Sequence, residues 1–273
     1  MYSRDRKQAL DMTISCLQDM PLYDQCQKTL VVDGRNNYWP DGWLIVEVPR
    51  LDGFCWASMW DAGVSVARHP VILYLDSDRL WPSNLLQEIV DKIDDGKFLF
   101  TTHHFLMSKE LPIEKCKEFL RTFADDSAIL TKPPYLGNVK FDPRFSNCSH
   151  RPGKNVMSGG TAFTKSTYLR LGGVDGWYCG HGAYADTDFH FTAQLGGCEF
   201  VDLRLPELHW PHPKLNDKGQ PLDQMALHKL SLDNYIHYCK KWRLPMATAE
   251  SLASDIGIKR PDVYVAKRAK ELQ

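Results

Sequence analysis

Two aspartates, Asp76 and Asp78, follow directly after a run of five apolar residues at 71–75. The run is short, rich in β-branched residues and apolar on both faces, which predicts a buried strand of a parallel sheet. Ligands of open α/β sheets bind just outside the carboxyl ends of the strands, which is where these acids fall. Two adjacent carboxylates repel each other unless a cation joins them, and their hard oxygens suit Mg²⁺ or Mn²⁺. The alternative is an ordinary turn after a core strand, since Asp and Ser favour turns.

Composition indicates a globular protein without a strong electrostatic preference. The 273 residues are 43% hydrophobic and 25% charged, and the net charge is −1. This balance gives no general attraction to nucleic acid or to an anionic membrane. No apolar run approaches the roughly 20 residues that a membrane span needs, and the first residues lack the apolar region of a signal peptide. The eight cysteines form no CxxC pair, which favours reduced, buried thiols and a cytoplasmic protein.

Strands and helices alternate through the first part of the sequence, which predicts an α/β fold with a mostly parallel central sheet flanked by helices. The expected strands are 29–32, 44–48, 71–75 and 97–102, and the expected helices are 4–20, 54–68 and 85–93. The second part is less regular. We expect helices at 111–125, 165–171, 185–195 and 222–242, strands at 157–164 and 199–205, a long loop at 132–154 and a basic helical tail after 243.

Several separated motifs, taken in order, resemble the metal-dependent glycosyltransferases of the GT-A fold, close to the family-2 type. The resemblance covers residues 4–243. Its first motif is the DxD-like Asp76-Ser77-Asp78, and its second is an acceptor-side segment at 159–163 (GGTAF) that continues at 172–177 (GGVDGW). The later motifs are an acidic segment at 184–189 (YADTDF), the histidines His209 and His212, and Lys241-Trp242.

The resemblance implies an enzyme, a hexosyltransferase-like glycosyltransferase that moves a sugar from a UDP-linked donor to an acceptor hydroxyl. Asp78 would bind Mn²⁺ or Mg²⁺ together with His209 or His212, and closeness to the sheet edge favours His209. The other implied roles are Asp186 as the base of an inverting reaction, Asp33, Asp76, Gly159 and Gly160 at the donor, and Trp177, Tyr178 and Asp188 at the substrate. Residues 1–243 would form one Rossmann-like domain, with a nucleotide-sugar part at 1–102, an acceptor part at 103–243 and a helical tail at 244–273.

The sequence also departs from the family's pattern. Members carry a strand ahead of the first helix, whereas this sequence begins at that helix, so the strand is missing, replaced or outside the sequence. The Arg-Asn that precedes the DxD strand is Trp60-Asp61, and the Glu of the acidic segment is Ala185. These departures bear on donor specificity more than on the class of reaction.

Other interpretations remain open at this stage. Asp33 also fits a turn, Asp186 fits a stabilising carboxylate at a helix start, and Trp177 and Tyr178 fit core packing. A strand ending in DxD also opens phosphatases of the haloacid dehalogenase type, but the GDxxxD segment expected there is absent. A non-catalytic nucleotide-sugar-binding module is the other alternative. The acceptor, whether a glycan, a lipid-linked sugar, a protein or a modified nucleic-acid base, cannot be read from the sequence.

Overall fold

The computed structural model describes residues 7–34, 40–49, 56–101, 103–107, 111–124, 145–147, 159–178, 184–211 and 224–272. The helices are α1 (Lys7–Gln18), α2 (Trp56–Val66), α3 (Leu85–Lys92), α4 (Ile113–Ala124), α5 (Lys165–Arg170), α6 (Ala185–Leu195), α7 (Gln224–Lys241), α8 (Ala247–Asp255) and α9 (Pro261–Glu271). The strands are β1 (Thr29–Asp33), β2 (Leu44–Val48), β3 (Val71–Tyr74), β4 (Arg79–Leu80), β5 (Lys97–Phe100), β6 (His103–Met107), β7 (Phe145–Asn147), β8 (Thr161–Thr164), β9 (Glu199–Asp202) and β10 (Pro206–His209).

The strands form three sheets in the described part of the chain, in the orders β1-β2, β4-β10-β6-β7 and β3-β8-β5-β9. The predicted α/β class is confirmed, but the sheets are only partly parallel. Among the described strands, the parallel pairs are β1–β2, β6–β10 and β5–β9, and the other four pairs are antiparallel. Strand β8 causes much of this difference, because it lies between β3 and β5 and runs against both.

Strand β3 differs from its prediction in two ways. It pairs with the antiparallel β8, and its four residues are half-buried rather than fully buried. An apolar run suits a strand covered by helices on both faces, but neither periodicity nor composition reports the direction of a neighbour that is distant in sequence. In this sheet β3 is an edge strand among the described strands, and a cavity borders its other side.

Aromatic side chains form the centre of the main core. Phe98, Phe163 and Phe189 are buried at or below 1% exposure and contact one another at ring-centroid distances of 5.3–6.5 Å. Trp60 of α2 packs on Tyr74 at 4.1 Å and so joins β3 to this core. These contacts hold β3, β5, β8 and the start of α6 in one unit, which fixes the ends of these elements relative to one another.

The C-terminal helices share a core with α7. Leu232 and Ile236 of α7 pack against Ala249 and Ala253 of α8 and Val265 of α9. The expected helical tail therefore consists of two helices docked on α7, while the division of the chain after residue 243 stays a prediction. None of the helices in the described ranges combines the length and apolar character that crossing a membrane requires.

Candidate active site

Asp76 lies two residues after the end of β3 and is held by two neighbours. Its side chain is buried at 6% exposure. Tyr74 Oη donates a hydrogen bond to Asp76 Oδ1 at 2.9 Å, and Arg79 Nε lies 2.9 Å from Asp76 Oδ2. The chain turns between β3 and β4, which brings Arg79 back over the aspartate three residues before it. Arg79 therefore supplies part of the positive charge that balances the Asp76 carboxylate.

Glu207 is the site residue that the sequence reasoning missed. It lies on β10, has no exposed surface, and pairs with Arg79 through Arg79 Nη1 and Glu207 Oε1. Glu207 Oε2 accepts hydrogen bonds from Thr101 Oγ1 at 2.9 Å and from the Gly160 amide at 3.3 Å. A buried carboxylate needs such partners because an unpaired charge in a core is strongly destabilising. The available signal was an acid inside the apolar run Leu205-Pro206-Glu207-Leu208.

Gly159 and Gly160 allow the backbone to approach this carboxylate. Gly159 has φ +104°, and a β-carbon there would lie 2.8 Å from Glu207 Oε1 and closer to Oε2. A β-carbon on Gly160 would lie 2.8 Å from Trp81 Nε1. The close approach expected of the two glycines is therefore made to protein groups of the site. Their contact with a donor stays a prediction.

The charges of this cluster are mutually dependent. Burial raises the pKa of the Asp76 carboxyl above its ordinary value, and the Arg79 guanidinium opposes that rise. Burial acts to lower the pKa of Arg79, but the carboxylates of Glu207 and Asp76 outweigh it and raise that pKa. The cluster of Asp76, Arg79 and Glu207 thus holds a protonated guanidinium between two acids, in a place from which water is largely excluded.

Asp78 and His209 lie close together where β4 pairs with β10. In the pairing of β4 with β10, His209 is opposite Arg79, and the Trp210 amide donates to the Asp78 carbonyl at 2.8 Å. His209 Nε2 lies 3.8 Å from Asp78 Oδ1, and the side-chain exposures are 25% for His209 and 6% for Asp78. Two ligand atoms that each lie about 2.1 Å from one ion are at most about 4.2 Å apart, so this spacing fits a shared divalent cation.

The described residues supply only part of a complete metal shell. They contain no group of three His, Cys, Asp or Glu side chains arranged to hold an ion. His212, the other predicted histidine, lies outside the described residues. The backbone of Asp33 ends β1, but its side chain also lies outside the described part of the structure. A carboxylate and an imidazole fit Mn²⁺ or Mg²⁺, because these ions commonly keep waters and bind substrate phosphates as further ligands.

A second cluster surrounds Asp188 in the first turn of α6. Asp188 is buried at 1% exposure, and Lys241 Nζ lies 2.7 Å from its Oδ2. Trp242 Nε1 donates to Asp188 Oδ1 at 2.6 Å, and Tyr178 Oη donates to the same oxygen at 3.2 Å. Lys241 Nζ also lies 2.9 Å from Asp175 Oδ2. This carboxylate therefore ties the end of α7 and the turn at 175–178 to the start of α6.

The two predicted aromatic ligands belong to this second cluster. Tyr178 is buried at 1% exposure, and burial is the main cause that raises the pKa of its hydroxyl. Trp177 is half-buried and stacks on the His237 ring at 3.9 Å and an interplanar angle of 5°. In the described residues Tyr178 is mainly a packing group, whereas Trp177 keeps some exposed surface. Substrate contact by either stays a prediction.

Asp186 is half-buried and lies two residues before Asp188. Its Oδ1 accepts a hydrogen bond from the Thr187 amide at 2.8 Å. Tyr184, just before the helix, has φ +91°, and its carbonyl accepts from the Asp188 amide at 2.8 Å. The chain thus enters α6 through a strained residue, and the favourable macrodipole of a helix start acts on the Asp186 carboxylate.

Comparison with known proteins agrees with this arrangement at the level of the fold. No family model and no curated protein matches the sequence. Among solved structures, GalNAc-T7 with UDP, GalNAc and Mn²⁺ is similar with a TM-score of 0.51 and 11% identity over 97% of this chain and 55% of that chain. The chain has the GT-A fold. It spans about half the length of GalNAc-T7.

A second similar structure is the mannosyltransferase PcManGT from Pyrobaculum calidifontis in complex with GDP-Man and Mn²⁺. Its TM-score is 0.47 and its identity 12%, over 99% of this chain and 71% of that chain. At 11% identity the likeness to GalNAc-T7 describes the fold alone. The more specific assignment to a family-2 type stays a prediction, and so do the roles of the individual site residues.

Proposed function

We propose that this GT-A protein is a metal-dependent glycosyltransferase that uses a nucleotide-diphosphate sugar, with UDP as the nucleotide. The observation that carries the proposal is the pair of Asp78 and His209, whose ligand atoms lie 3.8 Å apart beside the carboxyl end of β3. Ligands of open α/β folds bind at such strand ends. GalNAc-T7, which has the same fold, has been crystallised with UDP, GalNAc and Mn²⁺, which supports the choice of donor and metal.

The residues of the first cluster would hold the donor end of the reaction. A divalent cation on Asp78 and His209 would neutralise the charge of the departing diphosphate. Arg79, fixed by Glu207, keeps Asp76 in place beside this position through its 2.9 Å ion pair. We assign Asp33, Gly159 and Gly160 to the nucleotide side of the same edge, and His212 as a further candidate ligand.

Asp186 is our candidate for the base that removes the proton of the acceptor hydroxyl. It is half-buried in the first turn of α6, and a carboxylate within hydrogen-bond reach of an acceptor hydroxyl can take its proton. Direct attack by the acceptor would invert the anomeric carbon. Trp177, Tyr178 and Asp188 are then assigned to the acceptor side, with Asp188 acting through the position it gives to α6.

The alternatives make different use of the same residues. A phosphatase of the haloacid dehalogenase type would need the first aspartate of the motif as a nucleophile, whereas Asp76 is engaged by Tyr74 and Arg79. A non-catalytic module would bind a nucleotide sugar and Mn²⁺ at Asp78 and His209 without consuming the donor. Measurements of donor turnover and of metal dependence therefore distinguish the three functions.

The deciding experiment measures release of UDP from a panel of UDP-sugars, with Mn²⁺, with EDTA, and with glycan, lipid-linked, protein and nucleic-acid acceptors. We expect Mn²⁺-dependent UDP release that increases with one class of acceptor. Donor binding without UDP release under all conditions would support the binding module. Phosphate release from a simple phosphomonoester, with Asp76 required, would support the phosphatase.

A further inference from the structure

A threonine of α1 contacts the turn between β3 and β4. Thr13 Oγ1 donates a hydrogen bond to the Arg79 carbonyl at 2.9 Å, and the Ser77 carbonyl lies 3.2 Å from the same hydroxyl. A hydroxyl carries one proton, so the two carbonyls share it in a three-centre bond. Thr13 therefore holds the backbone on both sides of Asp78.

The carbonyl between these two is held by a different element. The Trp210 amide, just after β10, donates to the Asp78 carbonyl at 2.8 Å. The three consecutive carbonyls of residues 77–79 thus accept hydrogen bonds from parts of the chain that are distant in sequence. Strand β4 has only two residues and pairs with β10 at two positions, which is shorter than most strands. The bonds to the three carbonyls therefore help to fix the backbone at Asp78, where the pairing of strands is short.

Packing of α1 keeps the Thr13 hydroxyl in a defined place. Ile14, the next residue, is buried and belongs to a cluster with apolar residues of β1 and β2. Cys16, one turn further on, is buried in the same cluster as Leu80 of β4 and Leu208 of β10. Helix α1 therefore packs on both of the strands whose pairing brings the two candidate metal ligands together.

The bond from Thr13 lies in a place that excludes most water. Thr13 and Ser77 are each 3% exposed, and Asp78 is 4% exposed. A buried carbonyl that loses its partner costs free energy, so the backbone is expected to move until it finds another. The Asp78 carboxylate would move with the backbone and change the 3.8 Å spacing from His209 Nε2. That spacing matters because a divalent cation requires each ligand atom at about 2.1 Å.

The two aspartates of the turn are held in different ways. Asp76 is held through its carboxylate by Arg79, whereas the backbone around Asp78 is held by Thr13. We propose that Thr13 is a positioning residue of the candidate metal site, whose hydroxyl keeps the Asp78 carboxylate directed at the ion that it shares with His209. The inference rests on the proposed function, which places a cation on this pair. Groups that orient metal ligands commonly contribute 10–100-fold to metal affinity.

The test compares three variants of α1. Thr13→Val removes the hydroxyl and keeps the branched shape, Thr13→Ser keeps the hydroxyl, and Ile14→Val removes one methyl group from the neighbouring core position as the matched control. Titration calorimetry with UDP present measures Mn²⁺ affinity. Amide exchange of Trp210, relative to that of β5, measures without metal how firmly the turn is held. We expect Thr13→Val to lower Mn²⁺ affinity and to speed Trp210 exchange by about tenfold each, and the other two variants to stay within about twofold of the parent.

Several results would overturn the proposal, and they differ from a failure of the proposed function. A parent protein that binds no Mn²⁺ would refute the proposed function together with the site that Thr13 positions. If the parent binds Mn²⁺, parent-like affinity in Thr13→Val would overturn the role of Thr13 alone. An equal loss in Ile14→Val would assign the effect to general stability, and an equal loss in Thr13→Ser would assign it to the methyl group.

A second variant keeps the test decisive if Thr13→Val does not fold. Thr13→Ala removes the hydroxyl without placing a methyl group against the two carbonyls. We expect it to lower Mn²⁺ affinity and to speed Trp210 exchange in the same sense as Thr13→Val. Parent-like values of both in Thr13→Ala would overturn the proposal.

Discussion

The Glu207 carboxylate occupies the space that a side chain on Gly159 would need, since a β-carbon there would lie 2.8 Å from Glu207 Oε1. Glu207 is fully buried and holds Arg79, which in turn holds Asp76. The conformation of Gly159 is thus linked to the position of Asp76 through a chain of contacts by way of Glu207 and Arg79.

Gly159→Ala should therefore be more damaging than an ordinary glycine substitution. Gly42 is the matched control, because it also has positive φ, +75°, but no atom within 4 Å of the added β-carbon. We expect Gly42→Ala to lower the free energy of unfolding by about 1 kcal/mol from backbone strain alone, and Gly159→Ala by about 2 kcal/mol more. Urea unfolding of both proteins measures the difference, and equal losses would mean that Glu207 moves aside without cost.

Asp78→Ala and His209→Ala should each weaken Mn²⁺ binding in the presence of UDP by at least about tenfold, because each removes one of two converging ligand atoms. Asp24→Ala removes a carboxylate with 99% side-chain exposure and is the control. Titration calorimetry gives the three affinities. Parent-like Mn²⁺ affinity in Asp78→Ala would remove the metal assignment, and an effect of His212→Ala alone would move the imidazole ligand to His212.

Asp186→Asn should lower the rate of sugar transfer by about 10²–10⁴-fold, because the amide keeps the shape of the carboxylate but cannot accept the proton. UDP affinity and the Tm should stay close to those of the parent, because the amide oxygen of Asn can still accept the hydrogen bonds that Asp186 Oδ1 receives from the Thr187 amide at 2.8 Å and the Thr187 hydroxyl at 3.5 Å. Single-turnover transfer measures the rate. Near-parent transfer would leave the base to be sought elsewhere, with Asp188 as the next candidate.

Asp188→Asn should lower the stability of the fold, in contrast to Asp186→Asn, which should lower the rate of transfer. It replaces a buried carboxylate that faces Lys241, Trp242 and Tyr178, so one buried ion pair is lost. We expect the free energy of unfolding to fall by about 3 kcal/mol, against less than about 1 kcal/mol for Asp186→Asn. Urea unfolding of the two variants side by side makes the comparison. A stable Asp188→Asn protein with no transfer activity would instead give Asp188 a direct role in the reaction.

Asp175 gives a prediction for the dependence of stability on pH. Burial acts to raise its pKa, but hydrogen bonds from Lys241 and the Trp177 amide outweigh burial and lower the pKa below the ordinary 3.8. A lowered carboxyl pKa contributes stability above the unfolded pKa and loses it as the pH falls through the folded pKa. The stability deficit of Asp175→Asn should therefore be constant from about pH 5 to 7 and shrink below about 3.8.

Urea unfolding of the parent and of Asp175→Asn at a series of pH values measures this deficit. Asp24→Asn, which changes an almost fully exposed carboxylate, gives the baseline. A deficit that stays constant down to about pH 3 would show that the ionised carboxylate adds no stability through Lys241.

The sequence predicted the elements whose signal is local. Helix α6 begins at Ala185 as expected, and the apolar run before Asp76 forms β3. The residues and strands that these elements contact could not be predicted in the same way, because such contacts join parts of the chain that are distant in sequence. Glu207 meets Arg79 from 128 residues away, and the strand that carries it, β10, is too short to stand out by periodicity.

Asp76 and Asp78 illustrate the same limit. The expected repulsion between Asp76 and Asp78 predicted a need for positive charge, and a metal ion was the source considered. Arg79, which follows Asp78 directly, supplies part of that charge to Asp76 at 2.9 Å. The turn between β3 and β4 makes this ion pair possible, because it brings the side chain of Arg79 close to Asp76, three residues earlier.

Lys240 and Lys241 are neighbours on α7 that reach in different directions. Lys240 Nζ donates to the Leu272 carbonyl at 2.9 Å, beyond the end of α9, while Lys241 Nζ reaches Asp188 at 2.7 Å. The rotation of α7 about its own axis is therefore set at once by the last helix of the chain and by the first turn of α6. A binding event that drew α9 away would change the free energy of the Asp188 contacts without touching them, which gives α9 thermodynamic influence over the start of α6.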